Sequence, residues 1–230
     1  MFCYLLAHTL EPDSLVAAAA RLCYSTAAAS DLLERESEHL SASLLRKLQR
    51  SGHHSPFEHA SFTFGVDGLS RVASHQLVRH RLASFSQQSQ RYVKMNDPQV
   101  VVPPSIHSNP QARALFQRGA EAASALYQEL LTLGIPAEDA RFILPHGWET
   151  RLVFTMNARE LHHFFRLRLC RRAQWEIREL ARLMLSECRR LAPVTFELAG
   201  PSCVGGQCGE SPSCEKPYRN MEDVLRKNDE

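Results

Sequence analysis

The stretch that most restricts how this chain can fold is SHQLVRHRLASFSQQSQRY, residues 74–92. It sets three arginines, two histidines, four serines and four glutamines among apolar residues. Leu77, Val78, Leu82, Ala83 and Phe85 interrupt the donors, so part of the segment has to face a core. Buried donors need partners. Guanidinium forks match phosphate and carboxylate, and serine hydroxyls and glutamine amides add short-range bonds. The partner this implies is a polar, anionic small molecule. On composition alone a solvated basic face followed by a serine loop stays open beside it.

The charge balance favours the pocket. A formal net charge of +2 is too small for wholesale nucleic-acid binding, yet Arg159, Arg166, Arg168, Arg171, Arg172 and Arg178 crowd one segment. Local concentration without global excess fits an anionic ligand better than a nucleic-acid tract. No apolar run has membrane-spanning length and residues 1–10 show no secretory pattern, so a soluble cytoplasmic protein is expected. The seven cysteines, at 3, 23, 170, 188, 203, 208 and 214, are odd in number and scattered, which argues against a disulfide framework. At 230 residues a single domain over 1–217 is expected, with residues 218–230 as a mobile tail.

Residues 2–8 read as a first strand, and Pro12 opens an alanine-rich helix to Leu22 with Asp13 as N-cap. One further helix from Ser30 or Asp31 carries Leu40, Leu44, Leu45 and Leu48 and ends at Gly52. The polar cluster at 53–59 reads as a loop. Phe62, Phe64 and Val66 alternate with small or polar residues, as a strand does. A helix is expected over about 71–82, with Arg79 and Arg81 in its last turn and diverging from one another. Residues after Ala83 read as irregular, with a strand somewhere in 92–102. Asn109-Pro110 opens a long helix to 133, a short one follows Pro136, and residues 151–155 read as a strand. A long helical pattern covers 158–191, with a possible break at Arg171-Arg172. Strands and helices mix without a βαβ rhythm, so the fold class is α+β, with a mixed or antiparallel central sheet flanked by long helices. There is no glycine-rich dinucleotide fingerprint or phosphate loop, so side chains have to supply the donors for any nucleotide.

The run RHRLASFSQQSQRY at 79–92 resembles the RHRxxSxNxxSxRY signature of the flavin-dependent thymidylate synthases, with Ser86 in place of the asparagine. The resemblance extends to HxSPFEH at 53–59, ARFILP at 140–145, NAREL at 157–161 and an LR…AQWEI block ending at Ile177. It implies a homotetrameric enzyme with active sites between subunits that methylates dUMP to dTMP. 5,10-Methylenetetrahydrofolate supplies the carbon, FAD reduced by NADPH supplies the hydride, and no enzyme nucleophile bonds to the uracil. By motif, Gln76, Leu77, Val78, Arg79, Gln87, Gln88, Ser89, Gln90, Arg91 and Arg141 resemble dUMP contacts. Ser55, Glu58, Arg79, His80, Arg81, Asn157, Ala158, Arg159 and His163 resemble FAD contacts. Arg168 resembles the catalytic arginine held against the uracil, where a cation favours negative charge on the ring. Ser86-Gln87 replaces the usual Asn-Glu, so an acceptor-only carboxylate becomes a neutral amide.

Other chemistries are weaker. Ser89 has no adjacent acid-oriented base and reads as a positioning hydroxyl. Cys170 reads as a packed helix cysteine. The histidines at 53, 54, 59, 75 and 80 lack zinc-ligand spacing. Cys203, Cys208 and Cys214 are three loosely spaced thiols with no following histidine, so free thiols and no metal are expected. Two rivals remain at this level. One is an RNA- or polyanion-binding module using the arginines at 166–178; the other is a flavoprotein of the same fold that lacks methylation.

Overall fold

The computed structural model describes residues 1–94, 99–204, 206 and 208–226. The chain begins with β1 (Phe2–His8) and α1 (Pro12–Leu22), followed by α2 (Ala29–Glu38) and α3 (Ala42–Ser51). A 3₁₀ turn at Ser55–His59 leads into β2 (Ser61–Ser70), α4 (Arg71–Leu77) and β3 (Ala83–Gln87). Next come α5 (Pro104–His107), α6 (Pro110–Thr132), α7 (Ala137–Ala140), β4 (Glu149–Asn157), α8 (Ala158–Arg168), α9 (Trp175–Leu191) and α10 (Met221–Leu225). The four strands form one antiparallel sheet in the order β1-β2-β4-β3. The α+β class follows directly. No helix among the described residues is long and apolar enough to cross a membrane.

Period-two patterning sets the sheet. Phe62, Phe64, Leu152, Phe154 and Met156 all point to one buried face. Phe154 pairs in register with Phe64 on one side and Phe85 on the other, with ring centroids 5.7 and 5.9 Å away. The helices α1, α3, α8 and α9 close this core with Val16, Leu45, Phe164, Phe165, Leu180 and Met184. The opposite face keeps Phe2, Tyr4, Leu6 and Val153 exposed. A satellite core of Tyr127, Ala140, Leu144 and Trp148 holds α6 against the segment leading into β4.

Several expectations change. The single helix expected from residue 30 to Gly52 is two helices. The carboxylate of Glu36, fully buried, accepts the Ser41 backbone N–H (2.7 Å) and hydroxyl (3.1 Å) and pairs with Arg21, and these bonds hold a bend there. Gly52 does terminate α3, at φ 75°. Asp13 lies inside α1 rather than capping it, and its carboxylate accepts the backbone N–H groups of Val194 and Thr195 at 3.0 and 2.8 Å. Residues 55–59 form a 3₁₀ turn rather than a loop.

The helix at residue 71 stops at Leu77, and the serine-rich stretch expected to be irregular is β3. The reason is in the alternation: Phe85 turns inward onto Phe154 while Ser84 and Ser86 face out. Part of the strand expected in 92–102 falls on residues 95–98, outside the described residues; Val100 makes an isolated bridge with Trp148. The pattern over 158–191 divides into α8 and α9, and Gln174 caps α9. Beyond Pro217, where a mobile tail is expected, the chain buries Tyr218 and Val224 in the main core and forms α10; residues 227–230 lie outside the described residues.

Candidate active site

The break between α4 and β3 makes the site. His80 turns inward and is 4% exposed, while Arg79 and Arg81 on either side of it both reach the same cleft. The sequence reading had them on a helix end, where neighbours two apart diverge. In the turn that actually follows α4, where the Arg79 and His80 N–H groups bond back to the Gln76 and Leu77 carbonyls, both arginines line the cleft. The cleft has a volume of about 640 Å³ and lies between this turn and α8, which adds Arg159, His163, Arg166 and Arg168. Among the described residues, Arg79, Arg81 and Arg166 form no ion pair, so the cleft presents a concentrated and largely uncompensated positive field.

A buried relay orients Arg168, the last residue of α8. Glu160, 5% exposed, accepts from His80 Nδ1 at 2.9 Å, and Arg168 Nε donates to His80 Nε2 at 3.0 Å. This pattern requires neutral His80 with its proton on Nδ1. Burial lowers the His80 pKa, the hydrogen bond to Glu160 opposes that, and Arg168 lowers it further. A second Arg168 nitrogen donates to the Gln76 carbonyl at 3.4 Å. Burial also lowers the Arg168 pKa. The guanidinium is thereby fixed on one edge and open on the cleft side.

The predicted flavin residues divide by role. Arg79, His80, Arg81, Arg159 and His163 line the cleft, His80 being nearly buried in its wall. Glu58 pairs with Arg159. Ser55 lines an adjoining cavity of 440 Å³ that shares His54 and Arg159 with the cleft. Asn157 caps α8, accepting the Glu160 N–H at 2.9 Å, and Ala158 is buried with its N–H on the Ala60 carbonyl at 2.7 Å. The donor set suits a dinucleotide: guanidinium groups face open space where a diphosphate would otherwise need a glycine-rich loop.

The predicted dUMP residues do not all gather here. Leu77 is fully buried in the core and Val78 is partly exposed beside it. Gln87 donates to the hydroxyls of Ser74 and Thr150, both at 3.1 Å. The Gln88 carbonyl accepts from Arg71 at 3.1 Å, and the Ser89 hydroxyl accepts the Arg91 N–H at 3.1 Å. The Arg91 guanidinium pairs with Glu138, whose carbonyl accepts from Arg141 Nε at 3.0 Å. Gln90 is half-buried in the same loop. Gln87 through Arg91 and Arg141 thus form a second cationic group beyond the far end of α4. His75, stacked edge-on against His146 at 5.2 Å, lies between the two groups, and its pKa is lowered by burial, His146, Arg71 and Arg79.

Three residues were missed by sequence reasoning. Glu160 stands three positions after Asn157, the spacing of a capping box, and that hid its bond to His80. His54 preceded the matched serine and carried no signal of its own. Arg71 sits in the expected helix, with its Nε buried and without a hydrogen-bond partner; burial and the charge of Arg141 lower its pKa. Nothing in the sequence marks Arg71 as near Arg141.

Comparison with known proteins agrees with this geometry. The family model described as "Thymidylate synthase complementing protein" matches residues 4–194. The chain is 51% identical over 208 residues to a flavin-dependent thymidylate synthase of Geobacter sulfurreducens, covering 90% of each chain. It is 46% identical over 229 residues to that of Clostridium tetani, covering 92% of each. A crystal structure of the UMP/dUMP methylase PolB from Streptomyces cacaoi, bound with 5-Br dUMP, superposes with a TM-score of 0.72 at 32% identity, covering 85% of this chain and 93% of that one. With the arginine-lined cleft, the His80–Glu160 relay and matches over nine-tenths of its length, this chain belongs to the flavin-dependent thymidylate synthase family.

Proposed function

We propose that the protein methylates dUMP to dTMP in the cytoplasm, taking the carbon from 5,10-methylenetetrahydrofolate and the hydride from FAD reduced by NADPH. The observation that carries this reading is the convergence of Arg79, Arg159 and Arg168 on one cleft, with Arg168 locked by neutral His80. Arg79, Arg81 and Arg159 hold the flavin's diphosphate, and a bound flavin supplies the hydride. Arg168 presents its free edge to the uracil and stabilises the negative charge that makes C5 nucleophilic, worth a few kcal/mol in a water-poor site. No hydroxyl or thiol beside Arg168 is needed as a nucleophile.

The separation of the two cationic groups supports a site assembled from more than one subunit. The group around Arg91 and Arg141 serves the phosphate of a nucleotide whose base lies in the cleft of a neighbour, in a homotetramer. The open sheet face with Phe2, Tyr4, Leu6 and Val153 offers apolar area for such assembly.

The polyanion rival loses its footprint. Arg171 stacks on Tyr218 at 4.1 Å, Arg172 donates to the Pro212 carbonyl at 2.8 Å, and Arg178 donates to the Arg171 carbonyl at 2.8 Å. The flavoprotein rival takes Ser86-Gln87 as its lesion, yet Ser86 keeps its place in β3 and the Gln87 amide is well matched to the two hydroxyls it bonds. The test is anaerobic turnover of the flavin-loaded protein with dUMP, methylenetetrahydrofolate and NADPH. Formation of dTMP is expected in the wild type. Arg168→Ala should lower kcat by about 100-fold or more while flavin absorbance is kept, the size expected for losing one charge-stabilising donor. Wild-type dTMP formation by that variant would remove Arg168 from the mechanism.

A further inference from the structure

The cysteines at the C-terminal end are not as scattered as their spacing implies. Cys170 lies in the turn between α8 and α9, and the segment carrying Cys203, Cys208 and Cys214 folds back over that turn. Three contacts fix the return. Arg172 donates to the Pro212 carbonyl at 2.8 Å and reaches the Glu210 carboxylate at 3.5 Å. Arg171 lies over the Tyr218 ring. The Gly209 N–H donates to the Ser202 hydroxyl at 3.2 Å, which closes a small loop with Cys203 just inside one end and Cys208 just inside the other. All four thiols are free and half-buried, unlike the core thiol of Cys188.

We propose that Cys170, Cys203, Cys208 and Cys214 together bind a zinc ion as a tetrathiolate site. Four thiolates satisfy a tetrahedral zinc without histidine, and the four-residue gap between Cys203 and Cys208 is within the range of zinc loops. The geometry pairs them: Arg172, two residues after Cys170, bonds the carbonyl of Pro212, two residues before Cys214, and the Gly209–Ser202 bond brings the ends that carry Cys203 and Cys208 together. A dication reverses the repulsion among the thiolates. Among the described residues no three side chains already stand at ligand distance. Closure therefore requires side-chain rotations, which half-exposed cysteines on a surface loop can make.

The placement has a consequence for the cleft. Cys170 is two residues beyond Arg168, and Gly200, which lines the cleft, is three residues before Cys203. A metal at this point staples the end of α8 to the opposite wall of the site.

The experiment is metal analysis of the full-length protein, purified without added metal and passed through a chelator-washed column. Stoichiometric zinc is expected. Cobalt substitution should give the intense near-ultraviolet band of thiolate ligation. Cys208→Ser and Cys214→Ser should each lose the metal, and Cys23→Ser should keep it. Metal-free wild-type protein with four thiols that titrate freely in the native state would overturn the proposal. So would a disulfide among these cysteines in the intact mass, or iron with inorganic sulfide in place of zinc. Because the wild-type metal content is read directly, a variant that fails to fold leaves the test standing.

Discussion

The role proposed for Arg168 needs its guanidinium held edge-on, and neutral His80 and the Gln76 carbonyl hold it. Glu160 fixes the His80 tautomer, and His80 in turn accepts from Arg168. Glu160→Ala should reduce kcat by about 10- to 100-fold, the value of one charge-assisted hydrogen bond. Glu160→Gln should fall between, since an amide oxygen still accepts from Nδ1. A purely structural role would not move the pH profile, but this one does. Protonating His80 deprives Arg168 of its acceptor, so the acid limb reports His80. Glu160 raises the pKa of His80, so its removal should move that limb to lower pH. An unmoved limb in Glu160→Ala, measured as kcat against pH, would show that the relay does not govern Arg168. The sequence marked His80 and Arg168 but not Glu160, which stands eighty positions from His80.

At the scale of elements, two packings hold the cleft open on a firm base. The first joins α8 to the segment after α9. His162 donates to the Thr195 carbonyl at 2.9 Å, with its ring against Phe57 and Phe196 at 5.7 and 5.3 Å. Burial lowers its pKa from 6.5 to about 4, with the Thr195 bond opposing and His54 adding to the shift. The folded state therefore binds this proton less readily than the unfolded chain. Its contribution to stability is complete above pH 6.5 and is lost as the pH falls through about 4. The loss is on the order of 2 kcal/mol once the ring edge exposed to the cleft is allowed for. Denaturant midpoints from pH 7.5 to 4 should decline more steeply in the wild type than in His162→Gln; parallel curves would assign the acid sensitivity elsewhere. The second packing is the sheet. Phe154→Ala leaves a cavity between Phe64 and Phe85 and should cost about 3–5 kcal/mol. Urea unfolding would show this as a lower midpoint with little change in slope, and a cost under about 1 kcal/mol would mean that the sheet core repacks around the gap.

For the whole molecule, the arrangement of cations is the main fact. One group lines the cleft and the other lies beyond the far end of α4. If neighbouring subunits complete each site, Arg168→Ala and Arg91→Ala carry their lesions in different halves. Co-expressed and co-purified, the two inactive variants should recover part of the wild-type dTMP formation, because some sites in mixed oligomers pair two intact halves. No recovery, with mixing verified by distinct tags, would place both halves in one subunit.

Local pattern alone carried the α+β class, the strand at residues 2–8, the long helix opened by Asn109-Pro110, the glycine stop at Gly52 and the cationic character of the site. Those features depend on alternation, helix periodicity, caps and charge, which are local or nearly so. Other features needed the tertiary structure. The bend between α2 and α3 depends on a buried carboxylate, and the stop of α4 at Leu77 depends on β3 reaching its place beside β4. The Glu160–His80–Arg168 relay and the return of the C-terminal segment onto Arg172 likewise join residues far apart in the chain. A sequence records which groups are present and their local period. Which distant groups become partners is decided by how the sheet and helices pack, because burial makes each polar side chain take the nearest available partner.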